Sequence, residues 1–286
     1  MLVRVEATMK TILVPTEQND VMDSTLQTAF LLARKFDSYV EGFALRFAIT
    51  DAVAMDVAST MPLASFERES QEAAKEARTL FETFMRDHHV PRSVANTGAL
   101  SFGWLEDALE GDYFVGSYGR VFDVTVLGRP SSNPKGPHMS TLEASLFESG
   151  RPSLIAPPTP PSVIGDNILV AWNCSTEQAR ATAFAMPLLK QAKRVTVLTV
   201  EGATVPGPTG EQITRYLQLS GIAAQAVTER GSNRSAGELI LAYAAANGSD
   251  LIVKGAYTQS RLRQMIFGGT TRHILAKANL PVFTAH

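Results

Sequence analysis

The feature that most narrows the folds open to this chain is a series of short apolar runs, alternating with helix-length amphipathic stretches, that occurs twice. The first series contains residues 11–15 (TILVP), 39–45 (YVEGFAL), 123–128 (DVTVLG) and 151–157 (RPSLIAP), with a blurred third strand expected within 94–104. The second contains 167–172 (NILVAW), 195–200 (VTVLTV), 223–228, 250–255 (DLIVKG) and 280–284 (LPVFT). Compact apolar runs of this length fit strands covered on both faces. Between the first two runs, Leu26, Ala29, Phe30, Ala33 and Phe36 recur at helical spacing, so that stretch should lay one face on a sheet. Further helices are expected over 66–87, 113–122, 176–192, 211–219, 235–246 and 272–278. Strand, helix and strand in succession favour right-handed crossovers between parallel neighbours. The expected fold class is therefore α/β, with two tandem doubly wound, mainly parallel open sheets carrying helices on both faces.

A length of 286 residues suits two ordinary domains better than a single core. The stiff, proline-rich stretch at 157–161 separates the two series. The expected organisation is a first domain over 9–157, a linker over 158–165 and a second domain over 166–286. Residues 46–63 are loosely apolar without a firm period, and a helical excursion and a flap both remain open there. A formal net charge of −2 argues against nonspecific attraction to nucleic acid. No apolar run is long enough to cross a bilayer, and the opening MLVRVEATMK lacks the apolar core of a signal peptide. The expected location is the cytoplasm, and no membrane partner is expected. The single cysteine, Cys174, precludes an internal disulfide. None of the five histidines has zinc-motif spacing, and His88 and His89 are expected to be solvated.

The chemistry concentrates in residues 250–271, DLIVKGAYTQSRLRQMIFGGTT. A buried-strand run ends at Gly255, and Gly268 and Gly269 later precede Thr270 and Thr271 at the start of a helix. Glycines ahead of a helix leave backbone N–H groups free to face an anion, and the helix dipole adds to the attraction. The loop therefore reads as a phosphate cradle, with plain turn-making glycines as the alternative. In a doubly wound sheet, ligands sit beyond the carboxyl ends of the strands. The loops after Trp172, Val200 and Gly255 are thus expected to meet. Arg261 and Arg263 lie inside the loop, either as phosphate contacts or as exposed charges, and Tyr257 either packs on a base or caps the sheet.

The run GAYTQSRLRQMIFGGTTRHIL resembles the universal stress protein family, whose nucleotide-binding members carry Gly-x-x-Gly, nine residues, then Gly and a small or hydroxyl residue after the fourth strand. Gly255 and Gly268 match the first and third glycines, while Thr258 stands where the second belongs. The resemblance implies an adenine-nucleotide alpha-hydrolase-like fold and a site for ATP or a related adenine nucleotide built from Trp172, Asn173, Val200, Gly255, Tyr257, Thr258, Arg261, Gly268, Gly269, Thr270 and Thr271. The family commonly has aspartate then glycine after the first strand. Here Asn173 and Cys174 take those places, so nucleotide contact survives while a Mg2+ requirement becomes doubtful. In the first half, the spacing counted from Gly128 reaches Thr141 instead of glycine, and Thr16 or Glu17 replaces the aspartate, so that site is expected to be degenerate. The implied function is a non-catalytic stress-response protein that binds ATP in its C-terminal domain and signals through an unidentified protein partner. A nucleotide-free scaffold and a weak ATPase are the alternatives. Family members pair through their last strands, which suggests a pseudo-dimer within one chain, or a homodimer. No P-loop, HIGH-type motif or nucleophile triad is present, and no catalytic residue is assigned.

Overall fold

The structure is a computed structural model that describes residues 8–46, 63–93, 98–131, 133, 136–230, 234–256 and 269–286. Residues 47–62, for which the sequence left two readings open, fall outside the described residues. The chain forms two compact units, one from Met9 to Arg151 and one from Pro152 to His286.

In the first unit the elements are β1 (Thr11–Thr16), α1 (Met22–Phe36), β2 (Tyr39–Ala44), α2 (Leu63–Asp87), β3 (Ser101–Leu105), α3 (Asp112–Tyr118), a short 3-10 turn (Gly119–Val121), β4 (Val124–Leu127) and α4 (Met139–Glu148). β1 lies between β2 and β4, β3 flanks β2, and every pairing is parallel. Ile12, Leu13 and Val14 of β1 are fully buried, as expected of a central strand covered on both faces, where each such side chain contributes about 1.5–3 kcal/mol. The helical spacing predicted for α1 holds, with Leu26, Ala29, Phe30, Ala33 and Phe36 all buried. α4 was not anticipated. Its buried residues, Thr141, Leu142, Ala144, Ser145 and Leu146, form a cluster too short and too mixed to show a period. The helix expected over 113–122 ends at Tyr118 and gives way to the 3-10 turn. His88 is half-buried instead of solvated: its ring stacks 4.1 Å from Phe84 and 4.6 Å from Phe30, and its Nδ1 lies 2.9 Å from the Phe84 carbonyl. The apolar ring faces that surround it are intelligible only once α1 and α2 lie together.

The second unit contains β5 (Ser153–Ile155), β6 (Asn167–Trp172), α5 (Thr176–Phe184), α6 (Met186–Gln191), β7 (Arg194–Val200), α7 (Gly210–Leu219), β8 (Ala224–Glu229), α8 (Ala236–Ala246), β9 (Leu251–Gly255), α9 (Gly269–Lys277) and β10 (Val282–Ala285). The strands lie in the order β5-β10-β9-β6-β7-β8. All neighbours run parallel except β5, which pairs antiparallel with β10 through Ser153, Leu154 and Ile155. The single helix expected over 176–192 is two helices, broken at Ala185, because Pro187 stands at the start of α6 and cannot donate to the preceding turn. Ser175 caps α5, its Oγ accepting from the Gln178 N–H at 3.1 Å, and capping boxes start α7 and α8 at Thr209/Gln212 and Ser235/Glu238.

The duplication visible in sequence recurs in hydrogen bonding. Asp123, just before β4, accepts from the Lys10 and Thr11 amides at 2.6 and 3.0 Å. Its counterpart Asp250, just before β9, accepts from the Asp166 and Asn167 amides at 3.0 and 2.9 Å. In each unit one aspartate locks the register of the two strands that flank the crevice described next.

Candidate functional site

β6 leads by way of α5 and α6 to β7 on one side, while β9 lies on its other side. The connections therefore diverge at the carboxyl ends of β6 and β9, the position at which an open α/β sheet leaves a crevice. Of the three loops expected to meet, those after Trp172 and Val200 do so, and the one after Gly255 lies outside the described residues. The Val205 amide donates to the Asn173 carbonyl at 3.1 Å, and the Trp172 indole N–H donates to the Pro208 carbonyl at 2.8 Å. Gly207 sits so close to Cys174 that a Cβ there would lie 2.5 Å from the Cys174 carbonyl oxygen.

These contacts alter the roles of several expected site residues. Trp172 is buried and its only side-chain donor is engaged by Pro208, so it joins two loops. Val200 is buried and its carbonyl accepts from Ala203 in a turn. Asn173 Oδ1 accepts from the Ser175 amide at 3.3 Å, which holds the entry to α5. Cys174 adopts φ +66°, a left-handed conformation that costs a side-chain-bearing residue energy and favours glycine. Burial raises the Cys174 thiol above its usual range, which makes it a poor thiolate.

Gly255 departs most from expectation. Its amide does not face the crevice mouth but donates to Gln178 Oε1 at 2.7 Å, and Gln178 Nε2 donates in turn to the Val253 carbonyl at 3.3 Å. A Cβ at Gly255 would meet Gln178 N at 2.4 Å and the Glu177 carbonyl carbon at 2.6 Å. Glycine is required here because the strand end abuts the first turn of α5. Tyr257, Thr258, Arg261, Arg263 and Gly268 lie outside the described residues.

Gly269, Thr270 and Thr271 form the first turn of α9, with no acidic residue among them. Gly269 is exposed and nothing stands within 4 Å of a Cβ placed on it. α9 is seated on α8, where a Cβ on Gly237 would lie 2.8 Å from the His273 Cβ and 3.0 Å from its ring.

Sequence reasoning passed over Lys254, Glu177 and Gln178. Lys254 is 4% exposed although it is charged. Adjacent strand residues point to opposite faces, so Lys254 leaves the sheet on the side away from α5, and its Nζ turns up to donate to the Gly255 carbonyl at 2.8 Å. Burial pulls its ammonium down to about 8, against the opposing influence of Glu177. Glu177 Oε2 is buried and has no hydrogen-bond partner among the described residues. The signal for Lys254 was present, since a lysine interrupts an otherwise apolar LIVKG run. No sequence pattern marks Gln178.

The equivalent crevice of the first unit holds acids instead. Burial and the nearby Asp112 raise Glu17, after β1, to about 7, while a hydrogen bond from Asn19 opposes this. Thr141, at the position expected for a phosphate-binding glycine, donates to Asp112 Oδ1 at 2.6 Å. Among the described residues, no group of three or more His, Cys, Asp or Glu could hold a metal ion. No described helix is long and apolar enough to cross a membrane.

Residues 165–286 match the universal stress protein family. Over 196 residues the chain is 26% identical to universal stress protein Slr1230 of Synechocystis sp.. The match covers 64% of this chain and 62% of that protein, so the chain spans just under two thirds of its relative's length. In fold it is similar to a universal stress protein from Archaeoglobus fulgidus DSM 4304, with 16% identity, 97% of this chain and 96% of that one covered, and a TM-score of 0.74. It is also similar to a functionally unknown protein from Pseudomonas aeruginosa PAO1, with 16% identity, 97% and 92% coverage and a TM-score of 0.57.

Proposed function

We propose, from the match of residues 165–286 to the universal stress protein family, that the C-terminal unit binds ATP or a related adenine nucleotide without consuming it, as a stress-response protein whose bound state is read by a protein partner. The observation that carries this reading is the first turn of α9. Gly269, Thr270 and Thr271 follow β9 at the point where the strand order reverses, and no carboxylate on that turn competes for its amides. A helix start of this kind attracts phosphate through its free N–H groups and its dipole. In contrast, Glu17 and Asp112 place carboxylates at the first unit's crevice, which supports assigning the nucleotide to the second unit alone.

Gly269→Asp tests the proposal. The added side chain has open space around it, and an aspartate in the first turn favours helix formation, so the variant should fold at least as well as the parent. It should nonetheless lose ATP affinity by roughly tenfold or more, because a carboxylate takes the place of the phosphate. Unchanged binding of labelled ATP by the variant, or no saturable binding by the parent at millimolar nucleotide, would sink the reading. A second reading, a nucleotide-free scaffold, is favoured by one observation: the Gly255 amide is already bonded to Gln178. An adenine nucleotide released from protein purified without added ligand would eliminate it.

A further inference from the structure

A lysine buried in the last turn of a strand is costly unless something compensates its charge, and the described residues do little to compensate Lys254. Its one hydrogen bond among them goes to the Gly255 carbonyl, although an ammonium has three donors. The carboxylate that acts on it is Glu177, at the start of α5. No ion pair joins the two among the described residues, and Glu177 Oε2 remains buried without a hydrogen-bond partner. Gly255, the next residue, ends β9 against the backbone of Glu177 and Gln178, while Lys254 leaves the strand on the opposite face and turns its Nζ back to the Gly255 carbonyl at that same strand end. Glu177 Oε1, by contrast, accepts from Thr176 at 3.1 Å, so the group left most incompletely matched among the described residues is the buried Lys254 ammonium, and a buried charge of that kind marks a place where a ligand supplies what is missing.

We propose that Lys254 is the specificity-determining residue of the C-terminal site, the buried cation that makes its crevice select a polyphosphate over an uncharged ligand. This rests on the nucleotide reading above and adds to it the group that recognises charge. The α9 amides and Lys254 contribute differently. The amides attract any anion and do so at every pH, whereas an ammonium delivers its attraction only while protonated, and burial brings its titration to about 8. Polyphosphate binding should therefore weaken as pH rises through that value. Among the described residues, the other titratable and charged groups on the elements around this strand end are Glu177 on α5, Cys174 before it, His273 and the exposed Arg272 on α9, Glu238 on α8, and His286, whose Nδ1 lies 3.1 Å from the Ala256 carbonyl. The terminal phosphate of ATP titrates near ~6, so a scan of ATP binding from about 7.5 to 9.5 stays above it, and a variant lacking only Lys254 separates its contribution from those of the other groups.

The test is equilibrium binding of ATP, inorganic tripolyphosphate and adenosine to the full chain and to Lys254→Met, with unfolding followed in parallel to confirm that the variant folds. We expect both polyphosphates to bind the parent at pH 7.5 and to bind Lys254→Met about tenfold more weakly, as for loss of one charge-assisted contact, with adenosine unaffected. The parent's affinity for ATP should fall about tenfold more than the variant's between pH 7.5 and 9.5, with tripolyphosphate compared at pH 7.5 only. If ATP binds both proteins alike with matching pH profiles, the role of Lys254 is overturned and the nucleotide reading stands. If neither ATP nor tripolyphosphate binds the parent, both fall together.

Discussion

Lys254→Met should stabilise the ligand-free protein, and the size of the effect follows from where the ammonium sits. The side chain is 4% exposed, and burial lowers its titration from 10.5 to about 8. At roughly 1.4 kcal/mol per pH unit, keeping it charged in the fold costs about 3 kcal/mol. Methionine has similar length, no charge and a flexible thioether suited to the same space. Loss of the hydrogen bond to the Gly255 carbonyl offsets about 1 kcal/mol, leaving a net gain of about 2 kcal/mol at pH 7. The pH dependence is the sharper signature. Below about 8 both folded and unfolded chains hold the proton, and the cost is complete. Between about 8 and 10.5 the folded chain releases it first and the unfolded chain binds more protons, so the parent gains stability as pH rises. The variant lacks this term, and its advantage should shrink across that window. Urea unfolding of both proteins at intervals from pH 7 to 10.5, in a Trp104→Phe background so that Trp172 fluorescence reports on the second unit, measures the difference directly. Tyrosine and cysteine titrations cancel between the two proteins. A difference independent of pH, or a parent more stable than the variant at pH 7, would refute the reasoning.

Other outcomes follow from the same geometry. Glu17, raised to about 7 from 4.5, holds its proton longer in the folded than in the unfolded chain. The first unit should therefore lose stability as pH rises from about 4.5 to 7, and Glu17→Gln should remove that loss, gaining about 2 kcal/mol at pH 8 by denaturant titration. Cys174→Gly should raise the thermal midpoint, because the left-handed backbone at φ +66° favours glycine by about 1 kcal/mol. Gly255→Ala should do the opposite: a Cβ placed 2.4 Å from Gln178 N has backbone and no flexible side chain to displace, and a loss of about 2–3 kcal/mol is expected in the unfolding of the second unit.

The elements most legible in the sequence were those governed by local pattern. NILVAW and TILVP read as central strands because every residue along them avoids water, and they are the buried strands β6 and β1. The caps at Ser175 and Ser235 obey the same local logic, since a hydroxyl before an amphipathic run satisfies its first amides wherever it occurs. The break at Pro187 was legible in principle, because its ring forbids the donor that a continuous helix needs. α4 was not, because its ten residues carry too few turns for a period to emerge.

Residue order alone determined an α/β fold built from two series of buried strands and amphipathic helices, because periodicity is a property of neighbours along the chain. Only the tertiary structure decided what each candidate residue does there. It turned the Gly255 amide onto Gln178, assigned the Trp172 indole to Pro208, and buried Lys254 within the electrostatic influence of Glu177. Those outcomes depend on groups separated by 77, 36 and 77 positions, respectively, and hydrogen bonding and desolvation act through space, where distance along the chain carries no information.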